Sequence, residues 1–517
     1  MPLRSRQRDR SSNLSGHVAD RAIVDIGSNT VRAVVFSGSP RAPTVFLNEK
    51  VTAKLGRRIA TEGDLAPEAI EIAMRGLKRY ALIFRELEVK DVTTVATAAV
   101  REASNGDAFL EQIRALGFAP KVLSGEEEAR SSAHGIMGAF PGAEGLVADL
   151  GGGSLEIVRV DGSECSDADT LPLGTLRLAA LREEHGEGTR KVLSQMLKKA
   201  GWDKPVGGPL YLVGGTWRAM AVFAMQRAET LLTDPHGYEL TAKQAGKLAD
   251  TLAAADPADL AAIPRISTMR AEKLPDAALL LQVLLKRIEP DRLIFSSWGL
   301  REGLVYERLA PHMKTQDPLL AGVAVFGAMR GAPPTLAALM AGWTVRAVPN
   351  EGRGSERVRL AATTLALASM QIEPNLRIQQ GVEWALYKRW LAIEPHERAM
   401  LAAAICGNGN VTELPEALLK IASAEQLEEA LCWGLAIRLC RRLSARSRRA
   451  MQASTLSVED GRLLLRIEEE QADLFGIPNE KDLKALGERL GLDYAMEVVR
   501  EAHSTEVESV LRPADEE

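Results

Sequence analysis

The chain has 517 residues, a length that predicts two to four domains. Hydrophobic residues make up 46% and charged residues 26%, as in ordinary globular proteins, and no apolar run is long enough to span a membrane. The formal net charge of −5 excludes a general attraction to polyanions, so a polyanionic partner has to meet a local basic patch.

The N-terminal segment and the cysteines both bear on where the protein works. Residues 1–20 are rich in Arg and Ser and contain no apolar core, so they are not a secretory signal and are expected to be a disordered basic tail. The cysteines form no paired short-spacing metal motif and are expected to be reduced thiols of a cytoplasmic protein. They are Cys165, Cys406, Cys432 and Cys440.

One pattern occurs twice in the chain. Residues 22–30 read AIVDIGSNT, and residues 146–154 read LVADLGGGS. In each copy an apolar run carries an aspartate, reaches a Gly/Ser turn and continues as β-type sequence, which predicts strand, turn, strand. Glycine lets the backbone approach a ligand closely, so successive N–H groups can face phosphate oxygens. With Asp25 and Asp149 placed to hold a hydrated Mg²⁺ ion, two such hairpins facing each other would form a phosphate clamp.

Strand and helix patterns alternate from residue 21 to about residue 312, which predicts an α/β arrangement. The predicted elements after the first hairpin are a helix over residues 67–87, strands over 92–98, 210–213 and 292–297, and helices that begin near Trp217 and Leu300. Between the 210–213 strand and its helix lies a third glycine turn, Gly214-Gly215-Thr216.

Beyond about His312 the β-type signal fades. Residues 318–450 are rich in Ala, Leu and Arg and are predicted to be mostly α-helical, with one short strand near residues 463–467. A solvated helix face and an anion-binding surface both fit a cluster of arginines at the end of one predicted helix. The cluster consists of Arg438, Arg441, Arg442, Arg446, Arg448 and Arg449. No motif or aromatic platform for reading nucleic acid accompanies it, so no specific nucleic-acid partner is expected.

An acidic run, SGEEEAR at residues 124–130, marks the start of a helix. Ser124 followed three residues later by Glu127 is a capping box, which assigns Glu127 to the backbone of Ser124. Glu126 and Glu128 remain available, and both suit a helix N-terminus. The plain interpretation is a solvated first turn. The run also follows a strand end, however, and a carboxylate held there can take a proton from a water attacking phosphorus.

Arg101 follows another predicted strand end. Its planar fork of donors suits phosphate oxygens, and a surface ion pair with Glu102 is the alternative interpretation.

Together these residues resemble the exopolyphosphatase and guanosine pentaphosphate phosphohydrolase family, which belongs to the superfamily of actin, heat-shock chaperones and sugar kinases. The matching motifs are DIGSN (25–29), ATAAVR (96–101), SGEEEAR (124–130), DLGGGSLE (149–156), GGT (214–216) and GLREG (299–303). They lie in order between about residues 21 and 310, and as a set they are specific. The resemblance implies an α/β fold of two tandem ribonuclease H-like (actin-like ATPase) domains, residues 21–141 and 142–312. A mostly helical C-terminal region, residues 313–517, follows them.

The resemblance also implies roles for individual residues. Glu128 matches the proposed base of the family, in agreement with the capping argument, and Arg101 matches its phosphate-binding arginine. Asp149 and Glu156 match the metal-binding and catalytic carboxylates, and Asp25, before the first phosphate loop, is a further expected metal ligand. The residues implied to cradle phosphates are Gly27, Ser28, Asn29, Gly151, Gly152, Gly153, Ser154, Gly214, Gly215 and Thr216.

Two positions depart from the family pattern. Leu155 stands where the family usually has Thr, and the turn at 214–216 replaces a commoner Ala-Ser-Gly-like turn. Neither departure removes a charged group, so activity is expected to survive both.

The expected reaction is metal-assisted hydrolysis of the terminal phosphoanhydride bond of inorganic polyphosphate, with release of orthophosphate. Loop amides, Arg101 and Mg²⁺ (or Mn²⁺) would neutralise charge on the phosphoryl group, and Glu128 would deprotonate the attacking water. A monovalent cation is a further candidate cofactor. The resemblance also implies a homodimer, and no membrane partner is expected.

Three alternatives remain open. The same clamp fits hydrolysis of guanosine pentaphosphate to the tetraphosphate. A non-hydrolytic sensor of alarmone nucleotides or polyphosphate is disfavoured by the intact set of Glu128, Arg101, Asp149 and Glu156. A sugar-kinase-like phosphotransferase is disfavoured further, because no motif for a sugar site is present.

Long members of the family carry a C-terminal scaffold that resembles metal-dependent phosphohydrolases, plus a small terminal subdomain. A working metal site of that type needs a His-Asp dipeptide. None of the seven histidines of this chain is followed by Asp, so the scaffold is expected to be degenerate and catalytically silent.

Overall fold

The computed structural model describes residues 20–59, 61–348, 355–500 and 509–511. The predicted basic tail therefore lies outside the described residues except for Asp20. The chain divides into two units between Gln316 and Asp317.

The first repeated hairpin lies in a five-stranded mixed sheet. Its strands are Arg21–Ile26 (β1), Val31–Ser39 (β2), Ala42–Val51 (β3), Asp91–Ala96 (β4) and Pro120–Val122 (β5), and the helices of this part are Pro67–Glu86 (α1), Ala98–Glu102 (α2), Gly106–Arg114 (α3) and Gly125–Ala139 (α4). The strand order is β3-β2-β1-β4-β5, with β1 antiparallel to β2 and parallel to β4. The hairpin, the helix expected over residues 67–87 and the strand expected over 92–98 are confirmed, although Ala98 already belongs to α2.

The second hairpin lies in a six-stranded sheet built to the same plan. Its strands are Glu144–Leu150 (β6), Leu155–Asp161 (β7), Glu164–Leu171 (β8), Pro209–Val213 (β9), Glu239–Thr241 (β10) and Arg292–Ser296 (β11). The helices are Thr175–His185 (α5), Thr189–Lys199 (α6), Gly215–Arg227 (α7), Ala242–Ala253 (α8), Pro257–Ala261 (α9), Thr268–Ala271 (α10), Leu274–Ile288 (α11), Leu300–Glu307 (α12) and Pro311–Lys314 (α13). The order is β10-β11-β9-β6-β7-β8, which reads in reverse as the order of the first sheet with β10 added at the edge. The two α/β halves are therefore topological repeats.

The two halves exchange helices. Helix α4 follows the first sheet in the chain, but its apolar face packs on the second sheet, against residues that include Val147 and Val158. Helix α12 follows the second sheet, and its Leu304 and Val305 pack on the first. The two helices approach each other so closely that a Cβ on Gly303 would overlap the carbonyl oxygen of Ser131.

This exchange explains why both halves belong to one unit, and the expected domain limits at 141 and 312 stay predictions.

The second unit begins with helices and ends with a sheet. Its helices are Pro318–Ala328 (α14), Pro334–Thr344 (α15), Ser355–Ser369 (α16), Arg377–Tyr387 (α17), Pro395–Asn408 (α18), Ala424–Ser444 (α19), Arg448–Gln452 (α20) and Ile477–Leu490 (α21), and its strands are Ser454–Glu459 (β12), Arg462–Glu468 (β13), Asp493–Val499 (β14) and Ser509–Leu511 (β15). The predicted helical character is confirmed, and so is the short strand expected near residues 463–467, which is β13. The other three strands of its four-stranded sheet, β12, β14 and β15, were not predicted. The chain also contains short 3-10 helices at Leu55–Arg57, Gly186–Gly188, Glu416–Lys420 and Glu469–Leu474.

Membrane-spanning character is absent from the helices of the described ranges, none of which combines the length and apolar composition that a bilayer crossing requires.

Candidate active site

The two repeated turns have the same backbone geometry and lie against each other. The amide of Gly27 donates to the carbonyl of Thr30 at 3.0 Å, and the amide of Gly151 donates to the carbonyl of Ser154 at 3.0 Å. A Cβ placed on Gly153 would lie 2.9 Å from the hydroxyl oxygen of Ser28, so the two turns approach so closely that a side chain at this position would displace that hydroxyl.

The carbonyl groups of both turns accept hydrogen bonds from neighbouring backbone segments. In the second turn the carbonyls of Gly151 and Gly152 accept hydrogen bonds from the first amides of α5, at 3.0 and 2.9 Å. In the first turn the carbonyls of Ser28 and Asn29 accept from the backbone amides of residues 56 and 54, at 2.7 and 3.0 Å. Because a trans peptide directs its N–H opposite to its C=O, the amides that follow these carbonyls point away from those anchoring segments. This orientation leaves them available to an anion.

A cavity of about 240 Å³ lies between the turns. The residues predicted to act on phosphate, metal or water that line it are Asp25, Gly27, Ser28, Asn29, Glu128, Asp149, Gly151, Gly152, Gly153, Ser154, Glu156, Gly214, Gly215 and Thr216. Arg101 does not line this cavity, but its guanidinium lies 3.4 Å from the carboxylate of Glu128. The structure thus brings all the predicted site residues together. Leu155 is fully buried in the core of the second half, so its departure from the family pattern does not alter the wall of the cavity.

Glu156 is buried and Asp25 and Asp149 are partly buried, each beside a polar partner. Asp25 accepts a hydrogen bond from Arg301 at 3.1 Å, Asp149 accepts one from Ser132, and Glu156 accepts one from Thr170 at 3.1 Å. Burial raises the pKa of Asp25 and of Asp149. Burial, followed by repulsion from Glu128 and Asp149, raises the pKa of Glu156 well above its usual range.

Glu128 occupies the first turn of α4, which the sequence predicted from its capping box. That box is confirmed, because the Glu127 amide donates to the Ser124 hydroxyl at 3.1 Å and the Glu127 carboxylate accepts from the Ser124 amide at 2.9 Å. Burial raises the pKa of Glu128 to about 7, against the opposing effect of Arg101. Arg101 is itself fixed by a 2.7 Å hydrogen bond to the carbonyl of Leu123.

The sequence reasoning assigned no role to several cations of this cavity. They are Arg32, Lys50, Arg218, Arg270, Lys273 and Arg301. A signal existed for two of them. Arg32 pairs in register with Asp25, the position that Glu156 holds opposite Asp149 in the second hairpin, and Arg301 lies in the GLREG motif. Arg270 and Lys273 come from a segment without a motif, so only the fold reveals them.

These cations are desolvated. Burial lowers the pKa of Arg32, of Arg270 and of Lys273, since the charged form has lost water without full compensation. Burial also opposes the charge of Arg301, but Glu302, Asp25 and Asp149 together raise its pKa. A polyanion in the cavity would stabilise the charged forms of these desolvated cations.

A ready-made metal cage is absent from the part of the chain that the structure describes, where no three His, Cys, Asp or Glu side chains converge as ligands. Asp25 faces Arg301 instead. The expected metal set of Asp25, Asp149 and Glu156 therefore stays a prediction.

Comparison with known protein families decides the classification. The model of the Ppx/GppA phosphatase family matches residues 34–312, which is more than half of the chain and extends over most of the first half and nearly all of the second half of the first unit. The chain belongs to the Ppx/GppA phosphatase family. This result confirms the resemblance predicted from the sequence.

Curated relatives match a little more than half of the chain. A guanosine-5'-triphosphate,3'-diphosphate pyrophosphatase of Vibrio parahaemolyticus is 27% identical over 303 residues, covering 55% of this chain and 58% of the relative. The enzyme of the same name from Vibrio vulnificus is 26% identical over 305 residues, covering 56% of this chain and 59% of the relative. The matches thus span less than two thirds of these relatives' length.

Solved structures agree with the Ppx/GppA fold. An exopolyphosphatase from Cytophaga hutchinsonii superposes with a TM-score of 0.50 at 23% identity, covering 55% of this chain and 96% of that one. The Aquifex aeolicus member of the Ppx/GppA family gives a TM-score of 0.49 at 28% identity, covering 56% of this chain and 96% of that one. The similarity to the Cytophaga structure and the repeated sheet topology confirm the predicted fold of two actin-like halves, and the helical region that follows them is seen in the second unit.

Proposed function

We propose that this protein is an exopolyphosphatase, a phosphoanhydride hydrolase that removes the terminal phosphoryl group of inorganic polyphosphate as orthophosphate. The observation that carries the proposal is Glu128, a partly buried carboxylate with a pKa of about 7 at the wall of the cavity between two glycine turns. A base of that pKa is matched to proton abstraction near neutral pH. Family membership and the cationic lining support a phosphate substrate.

In this mechanism the terminal phosphoryl group lies between the two turns. The turn amides that point away from the anchoring segments, together with Arg301, would stabilise charge on the phosphoryl oxygens as the bond breaks. Glu128 would accept a proton from the attacking water, and Arg101 would hold the Glu128 carboxylate in position while contributing positive charge to the phosphate. No side chain has to act as a nucleophile.

The donor set supports a Mg²⁺ ion that is bound with the substrate. Asp149 and Glu156 lie opposite each other in the hairpin register. Burial raises the pKa of both carboxyl groups, and repulsion from Glu128 and Asp149 raises that of Glu156 further, so a bound cation would stabilise their charged forms. Mg²⁺ in phosphoryl-transfer sites takes one or two carboxylates and completes its shell with water and phosphate oxygens. When bound, the ion would supply Lewis-acid stabilisation of the phosphate charge. Asp25 would become a ligand of this ion only if its ion pair with Arg301 were broken.

Guanosine pentaphosphate is the second candidate substrate. It presents a terminal phosphoanhydride like that of polyphosphate, and the curated relatives carry the name of an enzyme that acts on it. A homodimer stays a prediction from the family resemblance.

The test replaces the proposed base. Glu128→Gln keeps the size and hydrogen-bonding shape of the side chain but cannot accept the proton, so kcat for both substrates should fall by about 100-fold or more. Binding of polyphosphate should be unchanged or tighter, because a negative charge facing the polyanion is removed. Phosphate release and equilibrium binding are measured in the presence of Mg²⁺.

Glu126→Gln is the matched control, since Glu126 lies in the same helical turn but is exposed and pairs with Arg130 at 2.8 Å. Turnover within tenfold of wild type in Glu128→Gln would remove Glu128 as the base. Release of phosphate from the nucleotide alone would make guanosine pentaphosphate the substrate, with the same mechanism.

A further inference from the structure

Five arginines converge at one end of the helical part of the second unit. They are Arg377 at the start of α17, Arg438, Arg441 and Arg442 in the last turns of α19, and Arg446 just after α19. The sequence analysis left four of them undecided between a solvated surface and an anion-binding surface.

Hydrogen bonds connect Arg441 with Arg377 through the ends of two other helices. The Arg441 Nε donates to the side-chain oxygen of Asn408, the last residue of α18, at 3.3 Å. The Asn408 amide nitrogen lies 3.5 Å from the sulfur of Met370, which follows α16. Arg377 donates to the carbonyls of Met370 and Ile372, at 3.5 and 3.1 Å. The two guanidinium groups thus border the same segment.

Arg446 reaches this end of the unit from the other side. Its guanidinium donates to the carbonyl of Gly331 at 3.4 Å. Gln371 lies in the segment whose carbonyls accept from Arg377. Its side-chain nitrogen Nε2 lies 2.9 Å from where a Cβ on Gly331 would be. We call Arg377, Arg441 and Arg446 the arginine site.

Negative charge does not balance these cations. Asp482 pairs with Arg438 at 2.9 Å and with Arg442 at 2.8 Å. Within the described ranges, no carboxylate forms an ion pair with any member of the arginine site.

Arginines often cap the carbonyl groups at helix C-termini, and this accounts for the hydrogen bonds of Arg377 and Arg446. It does not account for Arg441. Among the described residues its only hydrogen-bond partner is Asn408, through Nε, so both terminal nitrogens are without one. The Nε of Arg377 is also buried without a hydrogen-bond partner. Burial and the four neighbouring arginines lower the pKa of Arg441 to about 10, as expected for a cation whose counter-ion is missing.

We propose that the arginine site binds a multiply charged oxyanion of the orthophosphate class. Guanidinium forks match the oxygen spacing of phosphate, and several converging forks favour a tetrahedral di- or trianion over a single carboxylate. Free orthophosphate and the terminal phosphoryl group of a longer chain share this chemistry. The proposal rests on the second unit alone and does not depend on the proposed function.

Hydrogen–deuterium exchange on the full-length protein tests the proposal, because it separates this site from the cleft. The probes are orthophosphate and tripolyphosphate. Each binding event should slow exchange locally, at residues 370–377 and 441–446 for the arginine site and around the glycine turns for the cleft. In Arg441→Gln, the probe concentration that gives half-maximal protection at residues 370–377 should rise by about tenfold or more. Protection in the cleft should be retained.

The matched control is Arg449→Gln, because Arg449 belongs to the same arginine run but pairs with Glu468 at 2.9 Å. Protection by either probe that is lost in Arg441→Gln and kept in Arg449→Gln supports the proposal, and the probe that protects identifies the source of the phosphate. Absence of protection at 370–377 with both probes overturns it, and so does equal protection in Arg441→Gln or equal loss in Arg449→Gln. If the circular dichroism spectrum shows that Arg441→Gln does not fold, Arg446→Gln replaces it in the experiment, and the same outcomes apply.

Discussion

Removal of Arg101 should move the pH dependence of the enzyme to higher pH. The guanidinium lies 3.4 Å from the Glu128 carboxylate, with the two side chains 24% and 12% exposed. At an effective dielectric constant of about 20, a charge pair at this distance interacts by about 5 kcal/mol, and partial exposure screens that value. Measured effects of an opposite charge at such distances are about 1–3 pH units. In Arg101→Gln the remaining influences of burial, Asp149 and Asp25 all raise the pKa of Glu128 from its value of about 7.

The sign follows from the role of Glu128. A general base works deprotonated, so kcat/KM should rise with pH through the pKa of Glu128 in the free enzyme. In the Arg101→Gln variant the midpoint of that rise should lie at least about one pH unit higher. The loss of amplitude is not diagnostic, because Arg101 is also a proposed phosphate ligand.

The assay is phosphate release from a short polyphosphate across the pH range at constant free Mg²⁺. Arg130→Gln is the control, since Arg130 lies on the same helix as Glu128 but pairs with the exposed Glu126. Ionisation of the substrate is identical for all three proteins, so a difference in the midpoint of the pH profile reflects a changed pKa of a group on the protein. A midpoint in Arg101→Gln that equals the wild-type value, or lies below it, would refute the electrostatic coupling of Arg101 to the base.

Two further substitutions test packing. Gly303→Ala would push α12 away from the carbonyl of Ser131 on α4, so kcat should fall and the melting temperature should drop, whereas unchanged values would mean that the two helices tolerate separation. Glu497 is a buried carboxylate that pairs with Arg466 at 3.0 Å, and Glu497→Gln removes its charge. The free energy of unfolding, measured with urea, should fall by about 2 kcal/mol. Glu470 is an exposed acid, so Glu470→Gln is the control and should leave that free energy unchanged.

The hairpins could be predicted because their chemistry and their geometry are local. The aspartate, the glycine turn and the β-branched residues lie within a few positions of one another, so the turn geometry follows from the sequence itself. The capping box at Ser124 and Glu127 is equally local, and it correctly left Glu128 for the cavity. Repetition added what a single motif lacks, because two copies imply two facing turns.

What the sequence did not reveal depends on long-range pairing. Arg270 reaches the cavity only because α10 packs beside α7, and nothing in its neighbourhood marks it. In the terminal sheet, strand β14 was missed because its sequence, DYAMEVV, contains Ala, Met and Glu, residues that favour helix in isolation. Its pairing with β13, about 30 residues earlier, overrides that preference.

The exchange of α4 and α12 has a kinematic consequence. Glu128 is encoded with the first half, yet the helix that carries it is packed into the hydrophobic core of the second half, which also carries Asp149 and Glu156. If the cleft widens or narrows, the base and these two carboxylates move as one rigid body, and the turn at residues 27–29 is the part that moves relative to them. Each half has a main hydrophobic core of its own, but one face of each sheet is covered by a helix that the other half supplies. A chain cut between the two halves would therefore leave both faces exposed until the pieces reassembled.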